Sequence, residues 1–175
     1  MGLYKHRWYA SNTMKPLAPA PVHSHLHNAD AYVHTVVQAC IERGLRLTAT
    51  RREVLRLIAK SDHPVKAYDL LDDLREQHAS AAPPTVYRAL DFLLDHAFIH
   101  RLDSINAFVS CPHPNEAHQV PFLICDICHG AEELCDGGAV VGLIEAEAER
   151  RGFQPRSQSL EVHGVCHGCQ AQNPP

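Results

Sequence analysis

The sequence lacks any long apolar run: none of its segments approaches the ~18 consecutive apolar residues that suggest a membrane span. The N-terminal stretch 1–13 also lacks the apolar core that a secretory signal peptide carries. Both absences argue against membrane and secreted classes, so we expect a cytoplasmic protein with no membrane partner. With 175 residues, 45% apolar and 21% charged, the chain is of ordinary globular composition, and its length suits two small domains.

An excess of positive charge is lacking too, since 16 Lys and Arg stand against 20 Asp and Glu. Spread evenly, the resulting net charge of −4 would argue against a nucleic-acid binder. The acidic excess is concentrated in residues 104–175, whereas residues 28–103 are close to neutral. The N-terminal part can therefore carry a local basic face toward nucleic acid.

Two Cys-x-x-Cys pairs stand out among seven cysteines: Cys125 with Cys128, and Cys166 with Cys169. Two such pairs complete a tetrahedral thiolate site for one zinc ion, and four thiolates leave no open position for a substrate. The alternatives are a disulfide network or a redox-active pair. The odd number of cysteines, the lack of a leader and the lack of a βαβ pattern favour a structural zinc.

The proline-containing segment 1–27 cannot bury a core, and we expect a disordered tail or a non-native remnant there. It contains His23, His25 and His27, which offer an alternative auxiliary metal site in a chain with 14 histidines.

Residues 28–97 show helical periodicity throughout. The first helix has an apolar stripe of Val33, Val36, Val37, Cys40 and Ile41. A second helix follows Thr48 or Thr50, and Thr50 has the capping-box spacing to Glu53. A third helix is predicted over residues 66–77, and Pro83-Pro84 suit the first turn of a fourth.

The fourth helix separates into two faces. Its apolar face comprises Val86, Ala89, Leu90, Leu93 and Leu94. Its polar face presents Tyr87 and Arg88 near the N-terminus, as a helix that reads the major groove would, although a plain solvated face fits the periodicity equally well. Two β-like runs follow, 98–102 and 107–111. Helices followed by a two-stranded hairpin form a winged helix-turn-helix, which favours DNA binding.

The remaining chain predicts a small α/β unit, so that the fold class is α+β. We expect strands over 120–125, 131–135 and 153–163, and a helix over 139–151. The domains are then a winged-helix DNA-binding domain (28–111), a hinge (112–119) and a dimerisation and zinc-binding domain (120–175). An apolar stripe of Val140, Leu143 and Ile144 favours burial in a homodimer.

A second metal-ligating set lies between the wing and the zinc domain: His100, Cys111, His113, His118 and Glu133. Taken alone, His113 and His118 are more often surface histidines than ligands, and Glu132 with Glu133 is usually a solvated charge pair. Together, a thiol with imidazoles and a carboxylate at one hinge suggests a second metal, and this ligand chemistry favours zinc over iron or manganese.

The chain resembles the ferric uptake regulator superfamily, and within it the zinc uptake regulator branch. The resemblance covers residues 30–170 and rests on the strings RLTATRREVL (46–55), AYDLL (67–71), PPTVYRALDFLL (83–94), FLICDIC (122–128) and GVCHGC (164–169). It implies a homodimeric, zinc-dependent repressor of zinc-uptake genes that binds operator DNA, contains two zinc ions per subunit and is not an enzyme.

Residue by residue, the resemblance assigns the regulatory zinc to His100, Cys111, His118 and Glu133. It assigns the structural zinc to the four cysteines of the two pairs, and DNA contacts to Thr85, Tyr87 and Arg88. The sequence departs from the family at Ala49, where proline is common, and at His113, which competes with His118 as a ligand.

Ligands from the wing, the hinge and the second domain would make the regulatory metal a clamp on the angle between the domains. Two alternatives stay open. An iron or peroxide sensor of the same superfamily would use mainly oxygen and nitrogen ligands, and Cys111 argues against it. A zinc hydrolase would need a pocket and a separate acid or base, which the sequence does not indicate.

Overall fold

A computed structural model describes residues 28–114, 120–134 and 138–172. Segment 1–27, with His23, His25 and His27, lies outside the described residues, as does His118. The elements are α1 (Ala29–Glu42), α2 (Ala49–Lys60), α3 (Ala67–Gln77), α4 (Pro83–Asp95), β1 (Ile99–Leu102), β2 (Ala107–Ser110), β3 (Phe122–Cys125), β4 (Ala131–Glu133), α5 (Gly138–Arg150), β5 (Glu161–Gly164) and α6 (His167–Gln172).

Short polar side chains define where the first two helices begin. The Asn28 side chain accepts a hydrogen bond from the backbone N–H of Ala31 at 3.0 Å. The Thr48 hydroxyl accepts one from Arg51 at 3.4 Å. The predicted capping box at Thr50 is wrong, because the extended backbone that a cap requires occurs at Thr48 and Thr50 already lies inside α2.

Helices α1 to α4 and strands β1 and β2 enclose one apolar core. Side chains with almost no exposure include Val36, Val54, Leu55, Leu70, Leu74, Leu90, Leu93 and Phe98. The stripe predicted for α1 is wrong at Ile41, which is 67% exposed. The buried side of α1 is instead centred on Val36 and includes Tyr32 and Ala39, so it is rotated away from Ile41.

Strands β1 and β2 form the predicted hairpin, paired antiparallel from Ile99 opposite Ser110 to Leu102 opposite Ala107. The turn at 103–106 closes with Asn106 in the left-handed region at φ +48°. Val65, between α2 and α3, exchanges two backbone hydrogen bonds with Phe108 of β2, at 2.8 and 2.9 Å. The hairpin is therefore attached to the helices as the wing of a winged helix-turn-helix.

The C-terminal sheet has the order β4-β3-β5, with β3 and β4 antiparallel and β3 and β5 parallel. The prediction of a strand over 153–163 is wrong over most of its length, since β5 begins only at Glu161. Gly152 has φ +67° and the Phe153 N–H returns to the Ala148 carbonyl at 2.8 Å, so these residues close α5 instead of starting a strand. Helix α6 was not predicted.

A second, smaller apolar cluster joins the wing to this sheet. Leu102 of β1 is fully buried against Phe122 and Ile124 of β3. The intervening Leu123 points to the opposite face of the sheet and is 39% exposed. Among the described residues, no helix combines the length and apolarity needed to cross a bilayer.

The core assignment predicts different costs for the same substitution at two positions. Ile58→Ala removes a side chain that is 2% exposed and should lower the free energy of unfolding by about 2–5 kcal/mol. Ile41→Ala, at 67% exposure, should cost far less. Urea unfolding of the zinc-loaded protein measures both values, and equal losses would contradict the placement of the core.

Candidate metal centres and nucleic-acid interface

The four predicted cysteines converge on one point. Cys125 ends β3, Cys128 follows one turn later, and Cys166 and Cys169 lie between β5 and the first turn of α6. All four sulfurs lie within 4.8 Å of one another, and those of Cys128 and Cys166 are 3.7 Å apart. Two thiolates at ~2.3 Å from a tetrahedral zinc would be separated by about 3.8 Å, so the cluster fits a four-cysteine zinc site.

Local hydrogen bonds prepare part of this cluster for metal binding. Burial raises the pKa of Cys125, but backbone N–H groups of Cys166, Cys128 and Ile127 oppose that effect and bring it to about 6. The Cys166 N–H lies 3.3 Å from the Cys125 sulfur. The hydrogen bond with Cys166, together with burial and the other thiols, raises the pKa of Cys169 to about 12. Four thiolates at this spacing therefore require a cation to offset their repulsion.

A second cluster lies where the wing meets the C-terminal sheet. His100 belongs to β1, Cys111 directly follows β2, and Glu133 ends β4. Each offers one ligand atom within 4.8 Å of the others, and His100 Nε2 lies 3.4 Å from Glu133 Oε2. Cys111 is fully buried, and the His100 and Glu133 side chains are largely hidden from solvent. One nitrogen, one sulfur and one oxygen ligand fit a zinc ion that still accepts a fourth ligand.

The identity of that fourth ligand stays a prediction. His118 lies outside the described residues. Its competitor His113 is about half exposed, and its Nδ1 lies 4.0 Å from Glu133 Oε1. The structure thus brings together three of the four predicted ligands and places His113 beside them.

Tyr32 of α1, a residue with no predicted role, supports this cluster. Its buried hydroxyl donates a hydrogen bond to the Phe98 carbonyl, which also accepts the Cys111 N–H at 3.2 Å. Burial raises the pKa of Tyr32, so that its hydroxyl stays a donor. In the sequence, the only indication of this role is that Tyr32 directly precedes Val33, the first residue of the apolar stripe of α1.

Helix α4 presents the predicted polar face. Tyr87 and Arg88 are exposed and Thr85 is half-buried, whereas Val86 and Ala89 are buried in the helical core. Two prolines occupy the first turn, and the N-cap residue, Ala82, makes no side-chain hydrogen bond to it. Because the helical core holds the opposite side of α4, Tyr87 and Arg88 are available to contact a partner without rearrangement of the domain.

Comparisons with known proteins agree with this arrangement. The model of the Ferric uptake regulator family matches residues 42–163. A Zinc uptake regulation protein of Escherichia coli (strain K12) is 44% identical over 131 residues, which are 74% of this chain and 76% of that protein. A Ferric uptake regulation protein of Synechococcus elongatus is 28% identical over 134 residues, 74% and 88% of the two chains.

Two solved structures resemble the chain over most of its length. The holo form of a protein named XcZur is 60% identical and superposes with a TM-score of 0.75 over 81% of this chain and 98% of that chain. A zinc uptake regulator complexed with zinc and DNA is 39% identical, with a TM-score of 0.79 over 83% and 97%.

The four-cysteine cluster predicts that Cys166→Ser unfolds or monomerises the protein, because thiolate zinc sites contribute about 10–16 kcal/mol of binding free energy coupled to folding. Wild-type protein should retain this zinc through mild chelation. Cys40→Ala, which removes a buried thiol outside both clusters, should leave the zinc content unchanged. Metal analysis and sedimentation test the prediction, and a Cys166→Ser variant that remains a normally melting dimer would contradict it.

Proposed function

Because the chain belongs to the ferric uptake regulator family, we propose that it is a zinc-responsive transcriptional repressor that binds operator DNA as a homodimer and controls zinc-uptake genes. It is a regulator and not an enzyme, as its family indicates. The observation that carries the proposal is the convergence of His100, Cys111 and Glu133 at the junction of wing and sheet. A metal bound there contacts both parts of the molecule.

The ligand chemistry favours zinc as the signal. A buried thiolate is a soft ligand that zinc accepts readily, whereas iron and manganese sensors rely on harder oxygen and nitrogen ligands. The similarity to proteins named as zinc uptake regulators supports the same choice over the iron and peroxide alternatives. We assign two zinc ions to each subunit, one structural and one regulatory, with His118 as the fourth regulatory ligand.

The regulatory zinc acts by fixing where the wing lies. His100 moves with β1 and Glu133 with β4, so one ion that binds both side chains sets the distance between the hairpin and the sheet. The hairpin is bonded to the helices through Val65 and Phe108, so the position of the hairpin also sets the position of α4. If two α4 helices lie one DNA turn apart, ~34 Å, both reach the major groove of one operator.

Helix α4 supplies the groups that contact DNA. The Arg88 guanidinium can donate two hydrogen bonds to a guanine, Tyr87 offers a hydroxyl and a ring, and Thr85 offers a hydroxyl near the helix start. We place this interaction in the cytoplasm, where a bacterial-type repressor meets its operator.

The homodimer forms through the domain that begins at 120 and follows the hinge. Leu123 of β3 and Val162 of β5 form an exposed apolar patch on the face of the sheet that points away from the wing. Helix α5 adds a second exposed apolar surface, formed by Val140, Leu143 and Ile144. A second copy of the chain buries such surfaces and brings two winged helices together.

Cys111→Ser should abolish the zinc-dependent rise in operator affinity while about one zinc per subunit is retained, because the wing loses its thiolate ligand and the four-cysteine site is intact. Glu133→Ala and His100→Ala should behave in the same way. His118→Ala should have a much larger effect than His113→Ala. Fluorescence anisotropy on operator DNA at buffered zinc concentrations tests these variants. If zinc raises the operator affinity of Cys111→Ser as much as that of the wild type, the sensor assignment is refuted.

Arg88→Ala should weaken operator binding by about 1–3 kcal/mol and reduce the preference over random DNA, because a bidentate contact to a guanine is lost. Zinc content and dimerisation should not change. Arg156→Ala, an exposed arginine beyond α5, is the matched control and should leave operator affinity unaltered. If the affinity for operator and for random DNA falls equally, Arg88 contacts only the phosphate backbone.

A further inference from the structure

The turn of the wing is held to the C-terminal sheet by a second set of contacts that contains none of the proposed metal ligands. Glu161, the first residue of β5, accepts two backbone hydrogen bonds from the turn through its carboxylate. The Asp103 N–H lies 2.6 Å from Oε1 and the Ser104 N–H lies 3.0 Å from Oε2. The Ser159 hydroxyl adds a contact to Oε1 at 3.2 Å.

His163, two residues further along β5, contacts the same turn. Its Nε2 lies 2.9 Å from the Ser104 hydroxyl, and its Nδ1 lies 3.0 Å from the Asp126 carboxylate. Asp126 belongs to the turn between Cys125 and Cys128, so His163 connects the turn of the wing to the four-cysteine cluster.

Strand register explains why the two attachments cooperate. Phe122 of β3 pairs with Glu133 of β4 on one side and with Glu161 of β5 on the other. The two glutamates thus lie in one row across the sheet, about 10 Å apart. They hold β1 and its turn at two places, His100 and residues 103–104, which are also about 10 Å apart along the strand.

The carboxylate is well suited to this contact. Burial raises the pKa of Glu161, but the hydrogen bonds from Ser104, Asp103 and Ser159 outweigh burial and lower it below the usual value. The side chain is therefore ionised at neutral pH, and its bonds to the two N–H groups are charge-assisted.

We propose that Glu161 and His163 are positioning residues that hold the turn of the wing on the sheet and so present His100 to the regulatory zinc. This inference rests on the proposed function. Their contacts form a pivot that needs no regulatory metal, and zinc fixes the second point, which determines the orientation of the hairpin. Without the pivot, zinc binding must also fix where the turn of the wing lies on the sheet, so the regulatory site binds zinc more weakly.

Glu161→Gln tests the pivot because it keeps the shape of the side chain and removes the charge. We expect the zinc affinity of the regulatory site to fall by about tenfold, at the lower end of what lost support around metal ligands costs. Dimerisation and the structural zinc should be unchanged. Backbone amide exchange at Asp103 and Ser104 should accelerate, a readout that global destabilisation alone would not confine to this turn. Glu149→Gln, an exposed glutamate on α5, is the matched control.

Ser104→Ala is the second variant, since it removes only the hydroxyl that meets His163 from an exposed turn. It should weaken regulatory zinc binding by about two- to threefold, and it decides the question if Glu161→Gln fails to fold. Unchanged zinc affinity in the folded variants would overturn the pivot. Failure of the wild-type dimer to tighten on DNA with zinc would instead overturn the proposed function, so the two failures are distinguishable.

Discussion

The attachment of β1 to the C-terminal sheet determines where the wing, and with it the helical domain, lies on the molecule. It has an apolar part, Leu102 packed against Phe122 and Ile124, and a polar part formed by side chains of β4 and β5. The apolar part is small compared with the core of the helical domain, so it brings the two parts into contact without fixing their orientation strongly. A bound ion with ligands on both sides can therefore dominate the geometry.

The proposed function gives the two clusters different roles, one in stability and the other in the response to zinc. The four-cysteine cluster ties β3, β5 and α6 together within one domain, where the sheet is only three strands wide and contributes few buried side chains. The mixed cluster takes its residues from β1, from the end of β2 and from β4. Loss of an ion from the four-cysteine cluster should unfold the C-terminal part. Loss of an ion from the mixed cluster should change only the orientation of the wing relative to the sheet. A hundredfold change in DNA affinity needs only ~2.7 kcal/mol of coupling.

The sequence predicted most of this architecture because its signals are local. Helical periodicity, the two prolines at α4 and the Cys-x-x-Cys spacing each act within a few residues. The structure has the four predicted helices, the prolines in the first turn of α4 and the four cysteines side by side. The prediction failed where distant contacts decide. The pairing with β3 limits β5 to Glu161–Gly164. Phe153 is of a residue type common in strands, but its N–H donates to the Ala148 carbonyl at the end of α5. The sequence also carried no sign of the roles of Tyr32, Glu161 and His163, because the contacts that join them to the wing, to its base at Phe98 or to the cysteine cluster span 37 to 66 residues.

If zinc and DNA are coupled through the junction of wing and sheet, thermodynamic linkage requires that each raises the affinity for the other. Zinc affinity of the regulatory site should be measured by competition with a chelator, for the dimer alone and for the dimer saturated with operator DNA. Coupling through the junction predicts that operator DNA raises zinc affinity by the same factor by which zinc raises operator affinity. Zinc affinity that is the same with and without the operator would contradict it.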